Sequence, residues 1–119
     1  MLKTVDEIRD RIIAGYDPDG IILFGSRAKG AEEDSSDIDI LILKKTRERP
    51  INRRIAVERL LTDRMVSLDI LVYTPDEMRY LYSIGSPFFE EVVGTGRVIY
   101  MRKATEDWLK DANEELSSL

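Results

Sequence analysis

The chain predicts a single α+β domain: a small mixed sheet with helices packed on it. Three observations lead there. Ile21–Phe24 is an apolar run of strand length, bounded by Gly20 and Gly25. A second run, Asp37–Leu43, alternates acid with isoleucine and then stays apolar. A third, Val66–Tyr73, is β-rich with one acid at Asp69, and a helix-length segment separates it from the second. Strand, helix, strand in that order suits neighbours in one sheet with helices on its faces.

The 119 residues allow one domain with one core and are too few for two ordinary ones. There is no cysteine, so the chain has no disulfide and no thiolate metal site, which fits a reducing, cytoplasmic setting. There is also no histidine, so acid–base chemistry must rest on carboxylates, hydroxyls and lysines. A net charge of −5 argues against a nonspecific nucleic-acid binder, which has to neutralise phosphates. No apolar run approaches the ~18 residues of a membrane span, and no secretory leader pattern is visible.

In order along the chain, Thr4 and Glu7 have capping-box spacing before a helix whose inward positions are Val5, Ile8, Ile12 and Tyr16. Asp17-Pro18-Asp19-Gly20 is a turn. After the Ile21–Phe24 strand, Gly25 permits a sharp bend and close approach by another group. Ser26 follows, and Arg27-Ala28-Lys29 are good helix formers. A strand-to-helix turn leaves backbone N–H groups without intrahelical partners, ready for an anion, with Ser26, Arg27 and Lys29 beside it. No G-x-x-x-x-G-K-[ST] loop is present, so this is not a P-loop.

Strand period two sends Asp37 and Asp39 to one face and Ile38, Ile40 and Ile42 to the other. At a rise of ~3.3 Å per residue their Cα atoms are about 7 Å apart, close enough for both carboxylates to converge on one hard cation or straddle two. Mg²⁺ suits that donor set, taking one or two carboxylates plus substrate phosphates. Asp69, an acid inside an apolar strand, must face water, pair with a cation or bind metal. The alternatives are plain: a polar turn for Asp34–Asp37, and a solvent-facing edge residue for Asp69.

Lys44–Arg49 reads as a solvated charged connection. Ile51–Arg64 reads as a helix with Ile51, Ile55 and Val57–Leu61 inward, and with Arg53, Arg54, Arg59 and Arg64 forming a basic outer face. Thr74-Pro75-Asp76-Glu77 is a helix start with N-cap, N1 proline and capping glutamate, followed by an apolar stripe of Met78, Leu81 and Tyr82. Pro87–Val93 is a further short helix ended by Gly94, and Arg97–Tyr100 a last strand. Ala104–Leu119 is an amphipathic helix with Trp108, Leu109, Ala112 and Leu116 on one face. The domain is therefore set at residues 1–101, with 102–119 a helix that packs on it or on a partner.

The order Gly25-Ser26, Asp37-Ile38-Asp39, then Asp69 resembles the polymerase-beta-type nucleotidyltransferase superfamily. The spacing Gly25-Ser26-Arg27-Ala28-Lys29-Gly30 to Ser36–Leu41, with the later Phe88–Tyr100 segment, is most similar to minimal nucleotidyltransferases (MNT), often encoded beside HEPN-domain partners as toxin–antitoxin pairs. The resemblance covers most of the chain, from the first helix to Tyr100. It implies the polymerase-beta-like fold, Asp37, Asp39 and Asp69 as catalytic and Mg²⁺-binding residues, and Gly25, Ser26 and Arg27 as the nucleotide-binding turn. It further implies transfer of AMP from ATP to an acceptor hydroxyl, foremost a tyrosine of a HEPN toxin. Two alternatives stand beside it: an antitoxin acting by contact alone, and transfer to a small molecule as in aminoglycoside nucleotidyltransferases. A homodimer through the tail helix or a sheet edge is a further option.

Overall fold

In the computed structural model, residues 2–25, 37–103 and 105 are described. They form α1 (Val5–Tyr16), β1 (Gly20–Phe24), β2 (Ile38–Leu43), α2 (Pro50–Leu60), β3 (Leu68–Tyr73), α3 (Pro75–Ser83), α4 (Pro87–Thr95) and β4 (Arg97–Met101). The strands make one sheet in the order β3-β2-β1-β4. β1 is antiparallel to both β2 and β4, while β2 and β3 are parallel. Parallel neighbours need a crossover, and α2 supplies it. The expected α+β class with a mixed sheet is what the chain adopts.

Alternation along the strands sorts the apolar side chains into two layers. Ile21, Leu23, Ile38, Ile40, Ile42, Leu68, Ile70 and Val72 pack with Ile8 and Ile12 of α1 and with Val57 of α2 and the adjoining Leu61. Ile22, Phe24, Leu41 and Leu43 pack with Met78 of α3 and with Phe89 and Val92 of α4. The sheet is thus sandwiched between two helix pairs and buried on both faces, which is why β1 and β2 read as nearly unbroken apolar runs.

The helix starts follow their local signals. Thr4 Oγ1 accepts from the Glu7 amide at 3.2 Å. At α3 both halves of the capping box form: the Glu77 amide donates to Thr74 Oγ1 at 3.1 Å, and the Thr74 amide donates to Glu77 Oε1 at 2.7 Å. Ends are less legible. α2 stops at Leu60 rather than Arg64, because Leu2 exchanges backbone hydrogen bonds with Asp63 and Met65 and draws that stretch into a bridge. α4 continues through Gly94, beside which a side chain would meet open space, and ends at Thr95 with the Gly96 amide donating to Val92 O.

The inward face of α2 differs from expectation. Ile51 is 60% exposed and Ile55 39%, whereas Arg53, assigned to a basic outer face, is buried. Its guanidinium donates to Val72 O of β3 (3.3 Å) and to Glu77 Oε1 (2.6 Å), and its Nε donates to Glu48 O (2.8 Å). A buried guanidinium with all these acceptors is satisfied, and it ties α2 to the start of α3.

The tail helix expected over Ala104–Leu119 lies outside the described residues except at Thr105. Among the described residues no helix is long and apolar enough to cross a membrane.

Candidate active site

The parallel register of β2 and β3 places Asp39 directly beside Asp69. Both residues alternate with the isoleucines and leucines of the α1/α2 layer, so both project to the α3/α4 face. Asp37 stands just before β2, exposed, in step with Asp39. Asp39 and Asp69 therefore stand side by side at the start of two parallel strands, with Asp37 two residues before Asp39. This end of the sheet is also where antiparallel β1 finishes, with Phe24 opposite Asp39 and Gly25 next in the chain.

Gly25 has φ +81°, a left-handed conformation that favours glycine. A Cβ built on it would collide with the Asp39 carboxylate. The turn and the acid thus meet at backbone contact. The Gly25 amide donates to Thr95 Oγ1 at 3.4 Å, and the Thr95 hydroxyl donates to Glu91 O at 2.7 Å. The Phe24 ring stands edge-on to Phe88 of α4, centroids 5.6 Å apart. Ser26 and Arg27, the other residues expected in the turn, lie outside the described residues, as does Lys29.

Burial is the main cause that raises Asp39 above the usual carboxylate range, and the charges of Asp69, Glu91 and Asp37 add to it. Glu91 is an acid that the sequence reading missed. It sits on α4, one turn before Thr95, and nothing in its local pattern ties it to the strands. Only the seating of Phe89 and Val92 in the core brings this part of the helix over the end of β1.

Such a cluster stores repulsion that a divalent cation relieves. Among the described residues no three acids are gathered as a ready-made ligand set. An ion such as Mg²⁺ is held through one or two carboxylates and completes its shell with phosphate oxygens and water. The all-oxygen donors of Asp37, Asp39 and Asp69 suit it, and the chain offers no histidine or cysteine for a softer metal.

A cleft of about 700 Å³ opens at the opposite end of the strands, lined by Asp19, Lys45–Arg47, Thr74–Asp76, Arg79 and Thr105. None of the gathered acids lines it, so it is separate from the carboxylate cluster.

No curated protein matches the chain in sequence. Solved structures match its fold. One chain of a toxin–antitoxin crystallised with AMP-PNP superposes with a TM-score of 0.62 at 18% identity, covering 95% of this chain and 86% of that one. A candidate nucleotidyltransferase from Sulfolobus solfataricus gives 0.58 at 22% identity, over 82% and 77%. A chain from the complex of tri-AMPylated Shewanella oneidensis HEPN toxin with MNT antitoxin gives 0.51 at 18%, over 96% and 81%. The family described as "Polymerase beta, Nucleotidyltransferase" matches residues 7–105, nearly the whole described domain, so this chain belongs to the polymerase-beta nucleotidyltransferase family.

Proposed function

We propose that this protein transfers AMP from ATP to a tyrosine hydroxyl of a HEPN-domain partner, and acts as the antitoxin of that pair. The observation that carries the reading is the side-by-side placement of Asp39 and Asp69 against the Gly25 turn. The family supplies the reaction class. Two of its fold neighbours come from toxin–antitoxin assemblies, one solved with an ATP analogue and one with an AMPylated HEPN toxin, which supports ATP and such a partner here.

On this reading Gly25, Ser26 and Arg27 would receive the triphosphate, the Arg27 charge adding attraction for its oxygens. Asp37, Asp39 and Asp69 would hold Mg²⁺, which when bound neutralises phosphate charge and acidifies an acceptor hydroxyl. Asp69, exposed on β3, would serve as metal ligand, as acceptor of the hydroxyl proton, or as both. The acceptor oxygen bonds to the α-phosphorus as the α–β bridge breaks, and pyrophosphate departs with the electrons of that bond. The domain that would perform this is residues 1–101, with 102–119 the expected helix that packs on it or on a partner.

The experiment is transfer of label from α-labelled ATP, with Mg²⁺, to the protein encoded beside this chain. Labelled partner tyrosine is expected, and it should vanish with Asp37→Asn or Asp39→Asn. Toxin inhibition that survives both variants without labelling would instead establish neutralisation by contact. Label on a small-molecule acceptor alone would move the protein to the aminoglycoside-type class.

A further inference from the structure

We propose that Thr95, at the end of α4, is a positioning residue for the nucleotide-binding turn, holding the Gly25 amide and so setting how that turn meets Asp39. The proposal rests on the nucleotidyltransferase reading and assigns a role to a residue outside the acid triad and the Gly-Ser motif.

A threonine hydroxyl can donate once and accept. Here the proton goes to Glu91 O at 2.7 Å, which aims a lone pair at the Gly25 N–H, 3.4 Å away. Gly25 is 70 residues before Thr95 in the chain, so this bond is a tertiary clamp. It acts at Gly25, whose left-handed backbone lies against the Asp39 carboxylate. The clamp stands on a firm base. Phe89 and Val92 are fully buried beneath it, and Phe88 pins Phe24, the residue before the turn. α4 thus grips Phe24 through a ring and Gly25 through a hydroxyl. At 3.4 Å the N–H···O contact is a long hydrogen bond.

Thr95→Val keeps the shape of the side chain and removes both hydrogen bonds, whereas Thr95→Ser keeps them. If the turn binds phosphate equally in ground and transition states, KM for ATP rises about 5- to 10-fold in Thr95→Val, the loss of one hydrogen bond's worth of order, while kcat stays within about twofold. Thr95→Ser should restore the wild-type KM. Amide exchange followed by NMR reads the clamp without catalysis. In the wild-type protein the Gly25 amide should exchange at least ~10-fold slower than an unprotected turn amide, and Thr95→Val should remove that protection. Gly25 exchanging at its unprotected rate in the wild type overturns the proposal. So does a folded Thr95→Val protein that binds Mg-ATP as the wild type does. Wild-type protein with no affinity for Mg-ATP would remove the nucleotidyltransferase reading itself, and the positioning role with it.

Discussion

Gly25 and Asp39 are in contact across the end of the β1–β2 ladder, so closely that the backbone of one leaves no room for a methyl group beside the carboxylate of the other. The glycine is required twice, by its left-handed φ and by this approach. Gly25→Ala should therefore cost about 1–2 kcal/mol from backbone strain alone. That corresponds to a fall in Tm of roughly 5–15 °C for a domain of this size. Displacement of the Asp39 carboxylate should abolish AMP transfer as well. A variant with wild-type melting and activity would show that the turn is free to move.

Asp39 titrates above the usual carboxylate range, mainly through burial and then through Asp69, Glu91 and Asp37. The sign for stability follows. The native state holds this proton more tightly than the unfolded chain, so stability from this group is lost as pH rises from the ordinary carboxylate pKa of about 4 through the raised folded value. At pH 7 the ionised Asp39 therefore works against the metal-free fold. Asp39→Asn should raise the Tm of the metal-free protein by a few degrees while removing AMP transfer. Titrating Mg²⁺ with ATP should stabilise the wild type and leave the variant unmoved. A lower Tm for metal-free Asp39→Asn would contradict this account of the cluster.

Activity should follow the same group. If Asp39 holds the cation as proposed, it must be ionised, so AMP transfer should decline as pH falls through its raised pKa, at a higher pH than an ordinary aspartate would set. A pH–rate profile in which Mg²⁺ concentration is varied checks it: more Mg²⁺ should shift the acid limb downward. An acid limb indifferent to Mg²⁺ would assign it to another group.

Buried Arg53 and partly exposed Glu77 form the ion pair that links α2 and α3. For Glu77, burial opposes ionisation, but the Thr74 amide and Arg53 outweigh it and hold its pKa below the ordinary value. Its contribution to stability is thus present above the unfolded glutamate pKa of about 4.3 and lost as pH falls through the lower folded value. Glu77→Gln should cost about 1–2 kcal/mol at pH 7, a charged hydrogen bond discounted for the partly exposed carboxylate, and the difference should shrink as pH falls through the lowered folded pKa. Denaturant melts at pH 7 and at low pH measure it. An undiminished difference at low pH would mean that packing, not charge, holds the link.

Tyr16 packs its ring against the α1/α2 core while its buried hydroxyl finds no partner among the described residues. The Lys44 ammonium lies 5.3 Å from the ring centroid, a contact that phenylalanine retains. Tyr16→Phe should leave stability unchanged or raise it by up to about 1 kcal/mol. A loss of that size would reveal a bound water serving the hydroxyl.

Strands, caps and the two central acids were legible because their signals are local. Period-two alternation assigns Asp39 and Asp69 to one face once the neighbouring isoleucines are taken as core, and Thr74 through Glu77 carries its capping chemistry within four residues. Arg53 was misread because four arginines along one helix look alike in sequence. What selects Arg53 for burial is Glu77, 24 residues on, together with the carbonyls of Val72 and Glu48. The same holds for Glu91 and Thr95, whose place beside the turn depends on α4 being seated on the far side of β1.

By itself the sequence determined which side chains are acids on strands, where the chain bends at Gly25, and which faces are apolar, since each follows from a repeat or a residue's own backbone preference. The tertiary structure alone decided that β2 and β3 run parallel in register, that Asp39 therefore meets Asp69, and that α4 closes over the turn. Those outcomes are set by packing free energy summed over residues distant in the chain, and no short window of sequence contains that sum.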